Sequence, residues 1–245
     1  MHRPKMILFD YAHTLAWEPS PDFLRGEEAV FRYVKDNPRH VTPRQASALG
    51  TEIWLAQREA RHGGVELHEH QQLRLKYDAL GLTFSLPMEE VEILLWTATT
   101  PGEAMPGAAD MLAGLRERGI RTGVISNLGW SENALTDRLR RLLPGHAFDI
   151  VLVSSEYGLR KPHPLLFQAA LSKAGLAAED AWFCGDQIEA DVHGAQGAGM
   201  FPVWYECTTV PNGFAKKNAG MTISGPCLHI HHWDELLRAI DECEE

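Results

Sequence analysis

The chain opens with a short, unbroken apolar run, Met6-Ile7-Leu8-Phe9, closed by Asp10. Such a run reads as a strand buried on both faces. From about Trp17 to Thr100 the apolar positions follow a helical period only. Val91, Leu94, Leu95 and Ala98 fall at i, i+3, i+4 and i+7, one face of a helix. Ala46, Leu49, Ile53, Ala56 and Ala60 make a second stripe. Thr42-Pro43-Arg44-Gln45 supplies its start, with Thr as N-cap, Pro at the first helical position and Gln closing a capping box. Phe23, Val30, Phe31 and Val34 predict an earlier helix; Leu73, Tyr77 and Leu80 predict a later one. A small helical bundle is expected.

After Pro101-Gly102 and Pro106-Gly107 helix and strand alternate. Ala108, Met111, Leu112 and Leu115 form a helix face that stops at Gly119. The run Gly123-Val124-Ile125 then ends at Ser126-Asn127, and Ile150 to Val153 is the next run. Phe167, Ala170, Leu171 and Ala174 mark a helix stopped by Gly175. Ala181 to Cys184 reads as a strand ending at Gly185-Asp186, and Phe201 to Tyr205 as another. Buried strands alternating with amphipathic helices predict an α/β fold, a Rossmann-like parallel sheet flanked by helices. The helical block follows the first strand, so it reads as an insertion. The expected division is an α/β core of residues 1–16 and 101–245 and an all-helical cap of residues 17–100.

Composition narrows the function classes. The formal net charge of -10 argues against a general nucleic-acid binder or a binder of anionic membranes, both of which need a basic surface. No segment approaches the roughly 18 apolar residues of a membrane helix, and Met1-His2-Arg3-Pro4-Lys5 has no secretory character. The 4 cysteines, Cys184, Cys207, Cys227 and Cys243, form no C-x-x-C pair. A soluble protein of a reducing, cytoplasmic compartment is expected. The sequence leaves the oligomeric state open.

Ligands of open α/β sheets bind beyond the carboxyl ends of the strands. Here those ends carry Asp10, Ser126-Asn127 and Asp186, with Lys161 in the loop after a further strand. Two carboxylates on adjacent strand ends repel unless a divalent cation lies between them, and hard oxygen donors favour magnesium. A lysine and a serine hydroxyl suit phosphate oxygens.

The order of these residues resembles that of the haloacid dehalogenase-like hydrolases. Phe9-Asp10-Tyr11-Ala12-His13-Thr14-Leu15 is similar to the first motif of that family, a strand followed by D-x-D-x-T. Val124-Ile125-Ser126-Asn127 is similar to the second. Gly158-Leu159-Arg160-Lys161-Pro162-His163-Pro164 with Phe167 resembles the third, and Gly185-Asp186, Asp191 and Gly194-Ala195 the fourth. The resemblance runs from residue 6 to residue 204, and the helical insertion falls where the family often places a cap. It implies a hydrolase of a small phosphorylated metabolite that works through an aspartyl-phosphate, with Asp10 as nucleophile. Ser126, the Asn127 backbone and Lys161 would hold the transferring group. Mg2+ would be ligated by Asp10, Asp186 and the Ala12 carbonyl, with Asp191 as a ligand or its support.

One departure bears on activity. The family's phosphatases carry an aspartate, the general acid/base, where this chain has Ala12. Such catalysis is typically worth roughly 10²–10⁴ in rate. His13 is the nearest titratable side chain, and on an extended segment it would point away from Asp10 and Ala12. Three other readings stand beside the phosphatase. A non-catalytic phosphate- or partner-binding protein could use the same scaffold. Phosphonoacetaldehyde hydrolases share the alanine but need a cap lysine, for which only Lys35 and Lys76 are available. A 2-haloacid dehalogenase also lacks the second aspartate, but Gly185-Asp186 counts against it.

The remaining polar clusters take plainer readings. His68 and His70 would turn to different faces of a helix, and His229-Ile230-His231-His232 reads as a solvated strand end with His229 and His231 on one face. Arg138, Arg140 and Arg141 interleave with Leu135, Leu139 and Leu142, as on the wet side of an amphipathic helix. Trp17, Phe23 and Trp130 flank the proposed site, in reach of substrate or of the core.

Overall fold

The computed structural model describes residues 2–210 and 215–243. The strands are β1 Met6–Phe9, β2 Ala16–Trp17, β3 Val34–Asp36, β4 Thr83–Phe84, β5 Glu103–Ala104, β6 Arg121–Ser126, β7 Ile150–Val153, β8 Ala181–Gly185, β9 Phe201–Tyr205 and β10 Leu228–Ile230. The helices are α1 Phe23–Val30, α2 Pro43–Ala56, α3 Arg58–His62, α4 Glu69–Leu80, α5 Met88–Thr99, α6 Ala108–Glu117, α7 Glu132–Leu142, α8 Pro164–Ala174, α9 Gly194–Gly197 and α10 Trp233–Asp241. No helix among the described residues is long and apolar enough to cross a membrane.

Six strands form one parallel sheet in the order β10-β9-β8-β1-β6-β7. Because successive side chains of a strand point to opposite faces, β1 feeds two cores. Ile7 and Phe9 join Val124, Trp182, Cys184 and Val203 under α6, α7 and α10, against Met111, Leu112, Leu135, Trp233 and Leu236. Met6 and Leu8 join Ile125, Leu152 and Phe183 under α8, against Leu166, Phe167 and Ala170. A sheet covered on both faces needs apolar residues at every strand position, which is why β1 shows no alternation.

Between β2 and β5 the chain builds a third cluster of its own, in which Val30, Leu73, Tyr77, Leu82, Val91 and Leu95 are buried. The capping box at Thr42 and Gln45 forms as the sequence predicts. The segment is not all helix, however. β3 and β4 pair as a separate antiparallel ribbon, and β2 pairs with β5 where the insertion leaves and rejoins the core. None of these strands joins the central sheet. The α2 stripe also breaks at Gln57, so Ala60 belongs to the separate α3. Phe23, placed on a helix face by its spacing, is 54% exposed.

Arg138 corrects the reading of α7 as wet on its arginine side. It is 2% exposed, with its guanidinium carbon 4.0 Å from the centre of the Trp96 ring. It donates to the Thr100 carbonyl and lies 3.4 Å from a Glu18 oxygen. The Tyr11 hydroxyl donates to the same Glu18 oxygen at 2.8 Å, and the Thr100 hydroxyl donates to its other oxygen at 3.3 Å. One core arginine thus ties together both linkers of the insertion. Trp96 of α5 stacks on Trp130 at 5.1 Å and 6°, extending that junction. Burial holds the Tyr11 hydroxyl well above its usual pKa, with Glu18 adding to the effect.

Candidate active site

Strand register brings the site together. Phe9 of β1 lies opposite Val124 of β6 and Cys184 of β8. The next step along each parallel strand sets Asp10 beside Ile125 and Gly185, with Ser126 and Asp186 one residue further on. The Asp10 N–H extends the ladder by donating to the Cys184 carbonyl at 2.9 Å. Asp10, Ser126, Lys161, Asp186 and Asp191 are all buried.

Lys161 organises the cluster. Its Nζ donates to Asp10 Oδ1 at 2.7 Å, to Asp191 Oδ1 at 2.7 Å and to the Ile125 carbonyl at 2.9 Å. Those bonds use all three ammonium hydrogens. Burial alone would lower its pKa, but Asp10 and Asp191 outweigh that and hold it above the ordinary value. Burial pushes Asp191 the other way from a normal carboxylate, upward, against the pull of Lys161. The Lys161 peptide is itself clamped: its N–H donates to Asn127 Oδ1 at 2.7 Å, and Asn127 Nδ2 donates to its carbonyl at 2.9 Å. The Asn127 side chain therefore braces the lysine loop, which leaves its backbone as the part available to a ligand.

Asp191 lies in a π-helical turn, Ile188–His193, and its Oδ2 accepts from the Gln187 N–H at 2.9 Å. A Cβ on Gly185 would come within 2.3 Å of the Asp191 carboxylate, so only glycine lets that carboxylate close over the end of β8. One oxygen each from Asp10, Asp186 and Asp191 lies within 4.8 Å of the others. The Lys161 ammonium thus bridges two of the three clustered carboxylates. Three clustered hard oxygen donors fit a divalent cation of the magnesium class.

The loop after β1 is not extended. His13 is in the left-handed region at φ 57°, and the chain turns back so that the Leu15 and Ala16 N–H groups both donate to the Tyr11 carbonyl. A non-glycine residue there stores about 1 kcal/mol or more of strain, a frequent feature of functional loops. Burial lowers the His13 pKa, with Asp10 and Glu18 pulling upward. Ala12 is half-buried and bridges to Ala16.

The insertion closes onto this end of the sheet. Glu66 N–H donates to the Gly158 carbonyl at 3.1 Å, and Arg160 N–H donates to the Gly64 carbonyl at 3.1 Å. Glu69 N–H reaches the Gly129 carbonyl at 2.7 Å. Buried Glu66 also accepts from Ser154 Oγ at 2.9 Å and pairs with Arg160. Glu92 of α5, fully buried, accepts from Ser131 N–H and Oγ at 2.8 and 2.6 Å. The loops carrying Ser126-Asn127 and Lys161 are thus both stitched to the insertion. Glu66, Glu69 and Arg61 carry no sequence signal beyond their charge and were not anticipated. Burial lifts the Glu69 carboxyl to about 7, against the pull of Lys76 and Arg61. His68 does not share a helical face problem with His70, because it is the N-cap of α4 and its ring lies 4.7 Å from that of His70.

The parallel sheet thus carries Asp10 past β1, buried Lys161, and Asp186 and Asp191 past β8 at one end. The haloacid dehalogenase-like hydrolase family model matches residues 5–199. The chain belongs to that family. Among curated relatives, the glyceraldehyde 3-phosphate phosphatase of Pyrococcus abyssi is 34% identical over 102 residues, 42% of each chain. The phosphoserine phosphatase of Thermus thermophilus is 38% identical over 105 residues, 41% of this chain and 40% of that one. The matched segments therefore span about two-fifths of these relatives. A solved HAD phosphatase from Thermococcus onnurineus superposes with TM-score 0.62 at 17% identity, covering 100% of both chains. A 2-haloacid dehalogenase from Pseudomonas syringae pv. Tomato DC3000 gives 0.61 at 21% identity, covering 98% of this chain and 99% of that one. At such identities these structures speak to the fold alone.

Proposed function

We propose that the protein is a magnesium-dependent hydrolase of small phosphorylated metabolites, working through an aspartyl-phosphate on Asp10. The observation that carries this reading is the buried cluster of Asp10, Lys161, Asp186 and Asp191 at the carboxyl ends of parallel strands. The phosphatase names of the curated relatives support it. A carboxylate oxygen of Asp10 attacks phosphorus, the bond to the leaving oxygen breaks, and water then releases phosphate and regenerates Asp10. Lys161 balances charge on Asp10 and on the transferring group, while Ser126 Oγ and the Asn127 N–H hold the phosphoryl oxygens. Asp10, Asp186, Asp191 and the Ala12 carbonyl would hold Mg2+, which would supply the charge neutralisation an anionic nucleophile needs at an anionic phosphate. Residues 17–100 act as the cap over this site, and the core is residues 1–16 and 101–245.

Ala12 sets the substrate range. With no acid beside Asp10, the leaving oxygen departs unprotonated, which acyl and aryl phosphates tolerate and alkyl esters do not. The wild type should turn over acetyl phosphate or p-nitrophenyl phosphate in the presence of Mg2+ and leave sugar phosphates nearly untouched. Ala12→Asp should raise alkyl-ester turnover by about 10²-fold, and Asp10→Asn should abolish all turnover. Fast wild-type hydrolysis of a sugar phosphate would contradict the leaving-group argument. Ala12 also favours a second reading, a non-catalytic phosphate binder, which absence of turnover even in Ala12→Asp would establish instead. The carbon–phosphorus reading loses its support, since the Lys76 ammonium is engaged by Glu27 at 2.5 Å and Lys35 lies exposed on β3.

A further inference from the structure

A second cluster of metal-ligating side chains lies apart from the carboxylate site. Glu206 follows β9, and His229 and His231 sit two residues apart at the end of β10, so both project from one face. One ligand atom from each lies within 4.8 Å of the other two. His229 Nε2 is 3.0 Å and His231 Nδ1 is 3.8 Å from the same Glu206 oxygen. These separations bracket about 3.4 Å, the donor–donor spacing of a tetrahedral ion with bonds of about 2.1 Å.

The cluster is also held in place. The His229 ring stacks on the Trp204 indole at 3.9 Å and 12°. That indole is fixed in turn, because its N–H donates to the Asp186 carbonyl at 3.2 Å. His231 Nδ1–H donates to the Glu206 carbonyl at 3.0 Å, a bond that an ion taken up at this nitrogen would replace. His231 further lines a cavity of about 330 Å³ with Tyr205, His232 and Trp233, which leaves room beside the cluster for water or a small ligand.

We propose that Glu206, His229 and His231 form a binding site for a transition-metal ion of the zinc class, with at least one coordination position open. Two imidazoles and one carboxylate favour zinc, nickel or copper over magnesium, whereas the all-carboxylate cluster around Asp10 has the opposite preference. The two sites therefore select different ions in one chain, and this proposal does not depend on the phosphatase reading. The test is calorimetric titration of the full-length protein with Zn2+ in saturating Mg2+, which keeps the carboxylate cluster occupied. One zinc per chain is expected. The His229→Ala/His231→Ala double variant should lose at least about 100-fold in affinity, and Glu206→Gln about tenfold. Circular dichroism establishes that each variant is folded. Ni2+ should quench part of the tryptophan fluorescence, and Trp204→Phe should remove that part. Wild-type zinc affinity in the double variant, no zinc binding below millimolar concentration, or unchanged nickel quenching in Trp204→Phe would each overturn the assignment.

Discussion

Two buried lysines, Lys76 in the insertion and Lys161 in the core, sit in contrasting surroundings. In the insertion, Lys76 Nζ meets a single carboxylate, Glu27 Oε1, at 2.5 Å, and the Tyr77 hydroxyl donates to Glu27 Oε2 at 3.2 Å. The charges cancel, the second oxygen is satisfied, and Lys76 lies 4.4 Å from the Tyr77 ring. In the core, Lys161 contacts Asp10 and Asp191 directly, with Asp186 beside them. There one ammonium bridges two members of a three-carboxylate cluster. Taking charges out of water costs several kcal/mol per ion, so a fold that gathers three buried carboxylates has to compensate them. The contrast fits the Lys76 pair to the architecture of the insertion and supports the proposal that the Lys161 cluster serves ligand and metal.

The largest effect expected from that contrast is on turnover. Lys161→Met should reduce hydrolysis of p-nitrophenyl phosphate by about 10³-fold or more, because it removes the cation shared by nucleophile and phosphate. A rate within tenfold of the wild type would break the comparison from the core side. Lys76→Met should act on stability instead. Leaving Glu27 buried without its partner should cost about 3–5 kcal/mol, measured by urea unfolding, with turnover per folded molecule unchanged. Adding Glu27→Leu should restore most of that loss. A double variant as unstable as the single one would show that the pair does more than neutralise itself.

Glu69 gives a smaller, pH-dependent effect. Its carboxyl sits at about 7 in the fold against an ordinary 4.5, because burial disfavours the anion. A carboxyl raised in this way stabilises the fold fully below its unfolded value and loses that contribution as pH rises through about 7. Stability should therefore decline between about pH 4.5 and 7.5, and Glu69→Gln should remove that part of the slope. Near pH 8 the variant should be the more stable by about 1–3 kcal/mol, with little difference near pH 4. An identical slope in the two proteins would show that Glu69 ionises without cost.

The strands of the core, and the clustering of Asp10, Lys161, Asp186 and Asp191 beyond them, were legible because they depend on short-range signals. A run such as Met6 to Phe9 closed by Asp10 states both the strand and its end, and parallel register does the rest. The insertion was legible as helices but not in its details. Val34-Lys35-Asp36 and Thr83-Phe84 are too short to show a period, so their ribbon emerges only from tertiary pairing. Arg138 lies four residues from Ala134 and three from Leu135, both buried. That spacing put it on the inner face, but its partners Glu18, Trp96 and Thr100 are distant in sequence, and without them a buried arginine has no visible reason. The His13 geometry was missed because nothing in the sequence marks a non-glycine residue at positive φ. His229 and His231 do lie side by side, with rings 4.5 Å apart, although His231 falls one residue beyond β10. Their neighbour Glu206 could not be found without knowing that β9 and β10 pair.

The proposed function requires that Asp10, Asp186 and Asp191 together hold a divalent cation. Calorimetric titration with Mg2+ tests it most directly, comparing the wild type, Asp186→Ala and Lys76→Met. The wild type and Lys76→Met should bind one Mg2+ with similar affinity, and Asp186→Ala should lose binding. Equal Mg2+ affinity in the wild type and Asp186→Ala would contradict the assignment of the cluster.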